Sequence, residues 1–210
     1  MGIETGRNFW DKTQYKFLGE SEQERGLPMP PLELPIDPGL PRIALPAAND
    51  FHPQVDLTDL INNRRTLRTY AETPLSLLEL SYLLWCTQGV RKITKRPSTS
   101  RSVPSAGARH ALETLLLVNR VDGLQPGLYR FAAIENALVL LSADAALPAK
   151  LRDACYNQDH VPGSAVTFFW FAAFERMYYR YQERGYRYIL LDAGHVCQNL
   201  YTAAGAIDCG

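Results

Sequence analysis

The chain has 210 residues, 46% of them hydrophobic and 21% charged, with 22 basic and 22 acidic side chains and no formal net charge. That length suits one sizeable domain with a well-buried core, and the composition is ordinary for a globular protein. A balance of zero excludes any global attraction to nucleic acid or an anionic membrane, so anion binding must come from local basic clusters.

The first 15 residues are mixed and polar, with no basic segment leading into an apolar one, so no signal peptide is expected. No apolar run approaches the roughly 20 residues that a membrane span needs. The longest, Ala165 to Phe174, has the length of a buried strand. Cys86, Cys155, Cys197 and Cys209 are scattered and form no CxxC pair, which argues against a zinc site or a thioredoxin-like motif. Free thiols in a reducing cytoplasm are the simplest reading.

Residues 1–55 form a distinct first region. Pro28, Pro30, Pro31, Pro35, Pro38, Pro41 and Pro46 punctuate it and rule out a long helix or a central strand. Leu32, Leu34, Ile36 and Leu40 alternate among them, which predicts an extended arm lying over a domain that occupies 56–210. A short helix is predicted to open near Asp56 or Thr58, with Leu57, Leu60 and Ile61 on one face, and to end close to Asn62-Asn63. A stronger helix starts at Ser76, where Ser76-Leu77-Leu78-Glu79 has capping-box spacing. Leu77, Leu80, Leu83 and Leu84 recur along it at helical period, and Gly89 is its expected terminator.

Arg91 to Arg101 is basic, rich in Ser and Thr, and reads as a loop. Thr114 to Val121 reads as a strand, and Leu128–Ala132 with Ala137–Leu141 as a hairpin turning through Glu135-Asn136. Leu147 to Tyr156 fits a helix. Ala165 to Ala173 is apolar on both faces and is expected at the centre of a sheet. Tyr188 to Ala204 is a long helix with Ile189, Ala193, Val196, Leu200 and Ala203 in a stripe. Its opposite face is nearly as apolar, which predicts a core helix, and His195 on it reads as a hydrogen-bonded core residue. Helices and a mostly antiparallel sheet sharing one core make an α+β domain.

Three stretches could carry chemistry. In Asn63-Arg64-Arg65-Thr66-Leu67-Arg68-Thr69-Tyr70, three arginines and two hydroxyls follow the end of a helix. The planar guanidinium suits phosphate, and hydroxyls complete an oxyanion's hydrogen bonds. A solvated basic patch complementing the helix dipole fits the same residues. In Val103-Pro104-Ser105-Ala106-Gly107-Ala108-Arg109-His110, small side chains let backbone approach a flat ligand, although read alone the segment is a turn before a strand. Neither GxGxxG nor GxxxxGK[ST] occurs, so no Rossmann fingerprint or P-loop is present. Tyr178, Tyr179, Tyr181, Tyr186 and Tyr188 interleave with Arg176, Arg180, Arg184 and Arg187. In a neutral chain without an RNA-binding motif, that pattern points to an interface or a pocket rim.

Arg64-Arg65-Thr66-Leu67-Arg68, followed by a helix and then Pro104-Ser105-Ala106-Gly107, resembles the opening motifs of the nitroreductase superfamily. Further phrases are similar to its SagB-type dehydrogenase branch, which includes azoline dehydrogenases of peptide natural-product pathways. They are Leu75-Ser76 to Trp85 with Gln88-Gly89, then Gly123-Leu124 with Pro126-Gly127-Leu128-Tyr129, then Gly185-Tyr186-Arg187-Tyr188 leading into Asp192-Ala193-Gly194-His195 and Gln198-Asn199-Leu200. The Pro-rich arm is also similar to that branch's N-terminal extension.

The resemblance implies an α+β nitroreductase-like fold in an intertwined homodimer, with FMN bound between the subunits. Carried over by position, Arg64, Arg65, Thr66 and Arg68 would hold the phosphate, ribityl chain and pyrimidine edge, and Pro104, Ser105, Ala106 and Gly107 would line the isoalloxazine. Gln158 matches the amide that meets the pyrimidine side, with Asn157 its close competitor. Hydride from NAD(P)H or a substrate C–H bond would pass through the flavin to a small molecule or peptide heterocycle.

The Lys-Tyr pair of azoline dehydrogenases falls near Arg180-Tyr181. Tyr181 is the candidate acid–base residue, because an arginine does not serve as a proton-transferring base at neutral pH. The final strand of the branch has no counterpart up to Gly210. That leaves two other readings on the same fold, a flavin-free binding or scaffold protein and an enzyme that destroys its flavin.

Overall fold

The computed structural model describes residues 3–48, 51–95 and 97–210. A five-stranded antiparallel sheet organises it, in the order β1-β6-β5-β4-β7. Its strands are β1 (Arg42–Ala44), β4 (Leu112–Val118), β5 (Gly127–Ala132), β6 (Ala137–Ser142) and β7 (Val166–Ala172). β4 lies between β5 and β7 and is buried at six of its seven positions. The predicted hairpin is β5–β6, and it turns at Asn136 with a left-handed φ of 49°.

The helices are α1 (Glu4–Lys12), α2 (Leu57–Asn63), α3 (Leu77–Gln88), α4 (Leu147–Ala154), α5 (His160–Gly163), α6 (Phe174–Tyr181) and α7 (Gly185–Gly205). α2 and α3 begin where their caps place them. The Asp56 carboxylate accepts from the amides of Thr58 at 2.7 Å and Asp59 at 3.1 Å, and Ser76 with Glu79 closes a reciprocal capping box. Gly89 ends α3 for a packing reason and not through a left-handed backbone, since its φ is −55°. A Cβ at Gly89 would lie 2.5 Å from the Trp85 ring.

Strand alternation divides the sheet into two faces. Leu116, Val118, Tyr129, Phe131 and Leu138 join Leu80, Leu83 and Leu84 of α3 and Ala203 of α7 in the main core. The other face of β4 and β5 carries a buried charge network that clamps the arm. Glu113 meets Arg130 at 3.2 Å and also pairs with Arg176. The Arg130 guanidinium donates to the carbonyls of Leu34 at 2.7 Å and Pro35 at 3.0 Å, and Arg176 donates to Leu32 O at 3.0 Å. The Leu34 amide returns a bond to Glu113 at 2.9 Å. Residues near the start of the chain are held differently: the Arg187 guanidinium lies 3.9 Å from the Trp10 ring centroid, and that of Arg184 lies 4.1 Å from the Tyr15 ring centroid.

Several local expectations are corrected. The run at 165–173 forms β7, an edge strand half-buried along most of its length, not a central one. Arg91–Arg101 is not a loop: β2 (Val90–Ile93) and β3 (Thr99–Arg101) pair as a bulged hairpin, with Arg101 buried and bonded to Gln88 and Thr99 at 3.0 Å each. α7 is not a core helix. It buries Gly185, Asp192, Val196 and Ala203, while Leu190 is 69% and Leu191 60% exposed, and His195 lies on the exposed side. The aromatic and basic stretch from Phe174 forms α6, which buries Arg176, Met177 and Tyr179.

Candidate active site

The basic segment follows the C-terminus of α2 outside any helix, so its side chains do not share one helix face. Arg64, Arg65, Thr66 and Arg68 are all exposed. Arg64 and Arg65 line a cleft of about 650 Å³ with Tyr201, Ala204 and Gly205 of α7 and Asp208. The Arg64 guanidinium sits 5.5 Å from the Tyr201 ring centroid. Leu67 is shared with two adjoining clefts of about 440 and 280 Å³, bounded by Tyr70, Val166 and Phe168. Thr66 and Arg68 are exposed and do not line these clefts. Among the described residues, no ion pair engages Arg64, Arg65 or Arg68. Three arginines without carboxylate partners beside an open cleft can bind an anion without first breaking an internal pair.

The small-residue loop lies beside α6 and the N-terminal half of α7. Its backbone is left-handed at Gly107 (57°), Ala108 (53°) and His110 (44°). Gly107 is required by close approach as well as by φ, since a Cβ there would lie 2.5 Å from the Tyr181 hydroxyl and 2.9 Å from Arg180 Cδ. Tyr181 therefore reaches over the loop. Its ring makes an edge contact with Tyr188 at 4.6 Å, and the Arg180 guanidinium lies 5.5 Å from its centroid. Pro104 is exposed, while Ser105 and Ala106 are half-buried.

Two buried titratable groups underlie this loop. The Ser105 hydroxyl oxygen accepts from the His110 amide at 2.9 Å, and the Ala106 amide donates to Asp192 Oδ1 at 3.2 Å. Burial, reinforced by the charges of Arg101 and Arg109, pushes the His110 imidazole down to about 3. Burial raises the Asp192 carboxyl above its ordinary value, against the bonds from Ser105 and Ala106. Asp192, His110, Ser105 and Gln88 border a cavity of about 10 Å³, the size of one water molecule.

Gln158 lies in the exposed turn between α4 and α5, after Tyr156 and Asn157, which are both left-handed. It is not among the residues lining the clefts; His160, two residues on, is. The structure thus forms two groups. Arg64 and Arg65 meet Tyr201 near the C-terminal end of α7, and Gly107 meets Tyr181 near its start. The rise of nine helical residues from Asp192 to Tyr201 separates them by about 14 Å along the axis.

Sequence reasoning gave Asp192 and His110 no role of their own, although both lie within quoted stretches, and it did not single out Tyr201. For Asp192 a signal was present: it lies three residues beyond Ile189 and four before Val196, which places a carboxylate on the apolar stripe. For Tyr201 no local signal distinguished it from its neighbours.

Residues 61–210 match the Nitroreductase family. The protein MJ1384 of Methanocaldococcus jannaschii, named as a nitroreductase, is 31% identical over 157 residues, covering 75% of this chain and 77% of the relative. The trifolitoxin-processing protein TfxB of Rhizobium leguminosarum bv. trifolii is 30% identical over 134 residues, 60% of this chain and 35% of TfxB.

Among solved structures, a nitroreductase-type protein from Anabaena variabilis superposes with a TM-score of 0.66 at 26% identity, covering 81% of this chain and 35% of that one. The E. coli microcin synthetase McbBCD, solved with truncated pro-MccB17 bound, shares the fold at a TM-score of 0.54 and 17% identity, over 98% of this chain and 79% of that one. Of TfxB and the Anabaena protein, this chain therefore spans about a third. Among the described residues, no helix is long and apolar enough to cross a membrane. With five antiparallel strands under α3 and α7 and a family match that takes in residues 61–210, the chain belongs to the nitroreductase family.

Proposed function

We propose that this chain is an FMN-dependent oxidoreductase of the SagB type that works as a homodimer. The observation that carries the reading is the combination, in a nitroreductase-family chain, of arginines without ion pairs at an open cleft and a glycine cradle held under Tyr181. The donor set fits the cofactor: Arg64, Arg65, Thr66 and Arg68 supply charge and hydroxyl donors for a phosphate and ribityl chain, and Gly107 lets the Tyr181 hydroxyl approach the loop backbone where a side chain would collide. When bound, FMN supplies hydride transfer between NAD(P)H or a substrate C–H bond and a small-molecule or peptide-heterocycle substrate.

Within this assignment Pro104, Ser105, Ala106 and Gly107 line the ring, and Gln158 meets its pyrimidine side. Tyr181 is the residue placed to hold or move a proton at its hydroxyl, above Gly107. The trifolitoxin-processing role in TfxB's name favours a peptide among the candidate substrates.

Two features support the homodimer. Leu57, Ile61, Leu190 and Leu191 are large apolar side chains left exposed on α2 and α7, and β7 offers an unpaired edge with apolar residues on both faces. The two candidate cofactor segments also lie toward opposite ends of α7. An isologous pairing of two antiparallel α7 helices would bring the basic segment of one copy toward the small-residue loop of the other.

The deciding experiment is an absorbance spectrum of the purified protein with and without added FMN. Flavin bands in the near-ultraviolet and blue, bleached by NADH or NADPH, are the expected result. Protein that stays colourless after reconstitution overturns the reading and favours a flavin-free binding module. Consumption of FMN without regeneration would instead identify a flavin-destroying enzyme.

A further inference from the structure

Asp192 is an anomaly on α7. It is 5% exposed, and among the described residues no lysine, arginine or histidine forms an ion pair with it. A carboxylate in that position is costly unless its oxygens are engaged. Its hydrogen bonds run to one place. Oδ1 accepts the Ala106 amide at 3.2 Å, the neighbouring Ser105 side chain favours the ionised carboxylate, and the Ser105 oxygen accepts the His110 amide at 2.9 Å.

The loop so tethered holds three left-handed residues within four, two of them not glycine. Conformations of that kind persist only where their surroundings over-determine them. Oδ2 is buried with no protein partner, so the fold itself does not fully compensate the carboxylate.

We infer that Asp192 is the positioning residue that holds loop 104–108 in its ligand-facing shape, through the Ala106 amide bonded to its carboxylate and the neighbouring Ser105 side chain. What the loop faces rests on the FMN reading above; the tether rests on the contacts just described. Asp192 acts through the loop, by way of the Ala106 amide. Because α7 continues from Asp192 to Tyr201, the same helix sets the loop and the wall of the arginine-lined cleft.

The test compares the wild-type chain of 210 residues with Asp192→Asn, Asp192→Leu and Ser105→Ala. Two readouts are used: amide hydrogen exchange of the FMN-free protein and FMN affinity by fluorescence quenching. Loss of a charged acceptor in Asp192→Leu is expected to speed exchange at Ala106 and His110 by about tenfold or more, leaving β4 and the rest of α7 unchanged, and to weaken FMN by a similar factor. Asp192→Asn keeps an acceptor oxygen and is expected to stay within a few-fold of wild type in both readouts.

Ser105→Ala frees the His110 amide by removing its acceptor and serves as the reference for an untethered loop; if Asp192→Leu does not fold, Asp192→Ala takes its place with the same two readouts and the same overturning results. Unchanged loop exchange in Asp192→Leu overturns the inference. So does acceleration spread evenly through β4 and α7, or an Asn variant as impaired as the Leu variant. If the wild type itself binds no FMN, the cofactor reading fails while the exchange data still decide the tether.

Discussion

Burial beside arginines keeps the His110 imidazole neutral down to about pH 3, whereas an unfolded histidine takes up its proton near 6.5. The sign follows from linkage. Above pH 6.5 both states are neutral and the stability associated with this residue is fully present. As pH falls below 6.5 the unfolded chain binds a proton that the folded one refuses, so stability drops by about 1.4 kcal/mol per pH unit until the folded value is reached. Urea unfolding at pH 7.5 and pH 5 should therefore show a loss about 2 kcal/mol larger in the wild type than in His110→Asn, a comparison in which other titrations cancel. Asparagine is the chosen replacement because it tolerates the left-handed backbone found at this position. Equal losses in the two proteins would contradict the buried, neutral assignment.

At the scale of elements, the arm is hydrogen-bonded to a buried network of paired charges. Glu113, Arg130 and Arg176 are each nine-tenths buried or more, and together they satisfy the carbonyls of Leu32, Leu34 and Pro35. Breaking a buried network by removing one member leaves charge uncompensated and costs about 3–5 kcal/mol. Glu113→Ala should lower the unfolding free energy by that amount and open residues 28–41 to limited proteolysis, while Glu135→Ala, at the exposed Arg42 pair, should change neither. A Glu113→Ala protein whose arm stays protease-resistant would show that Glu113 is not needed to hold it.

The helix starts at Asp56 and Ser76 and the β5–β6 hairpin were legible because their causes lie within a few residues. The β2–β3 pairing and α6 were not. A Ser/Thr-rich basic run and an aromatic–arginine run have no clear period, and they take their shape from partners such as Gln88 and Glu113.

For the whole molecule, the exposed face of α7 is where the proposed homodimer is most directly testable. Leu190 and Leu191 stand out from the helix, and Leu57 and Ile61 of α2 are exposed as well. Placing a carboxylate in the centre of an apolar interface leaves it desolvated and unpaired. Sedimentation velocity should find a dimer for the wild type and a monomer for Leu191→Asp, with FMN retention lost in the same variant. A wild-type protein that is monomeric at micromolar concentration removes the pairing and with it the composite cofactor site.

What the sequence determined by itself was local: where helices are capped, where a hairpin turns, and that an arginine-rich segment and a small-residue loop follow in family order. Such features depend on side chains within about one turn of each other. The tertiary structure alone decided that the most apolar strand lies at the sheet edge and that the long helix keeps an exposed apolar side. It also decided that Asp192 reaches a loop 86 residues away and that Arg176 holds a carbonyl 144 residues away. The physical reason is that the worth of a buried charge depends on what surrounds it, and those partners come from distant parts of the chain.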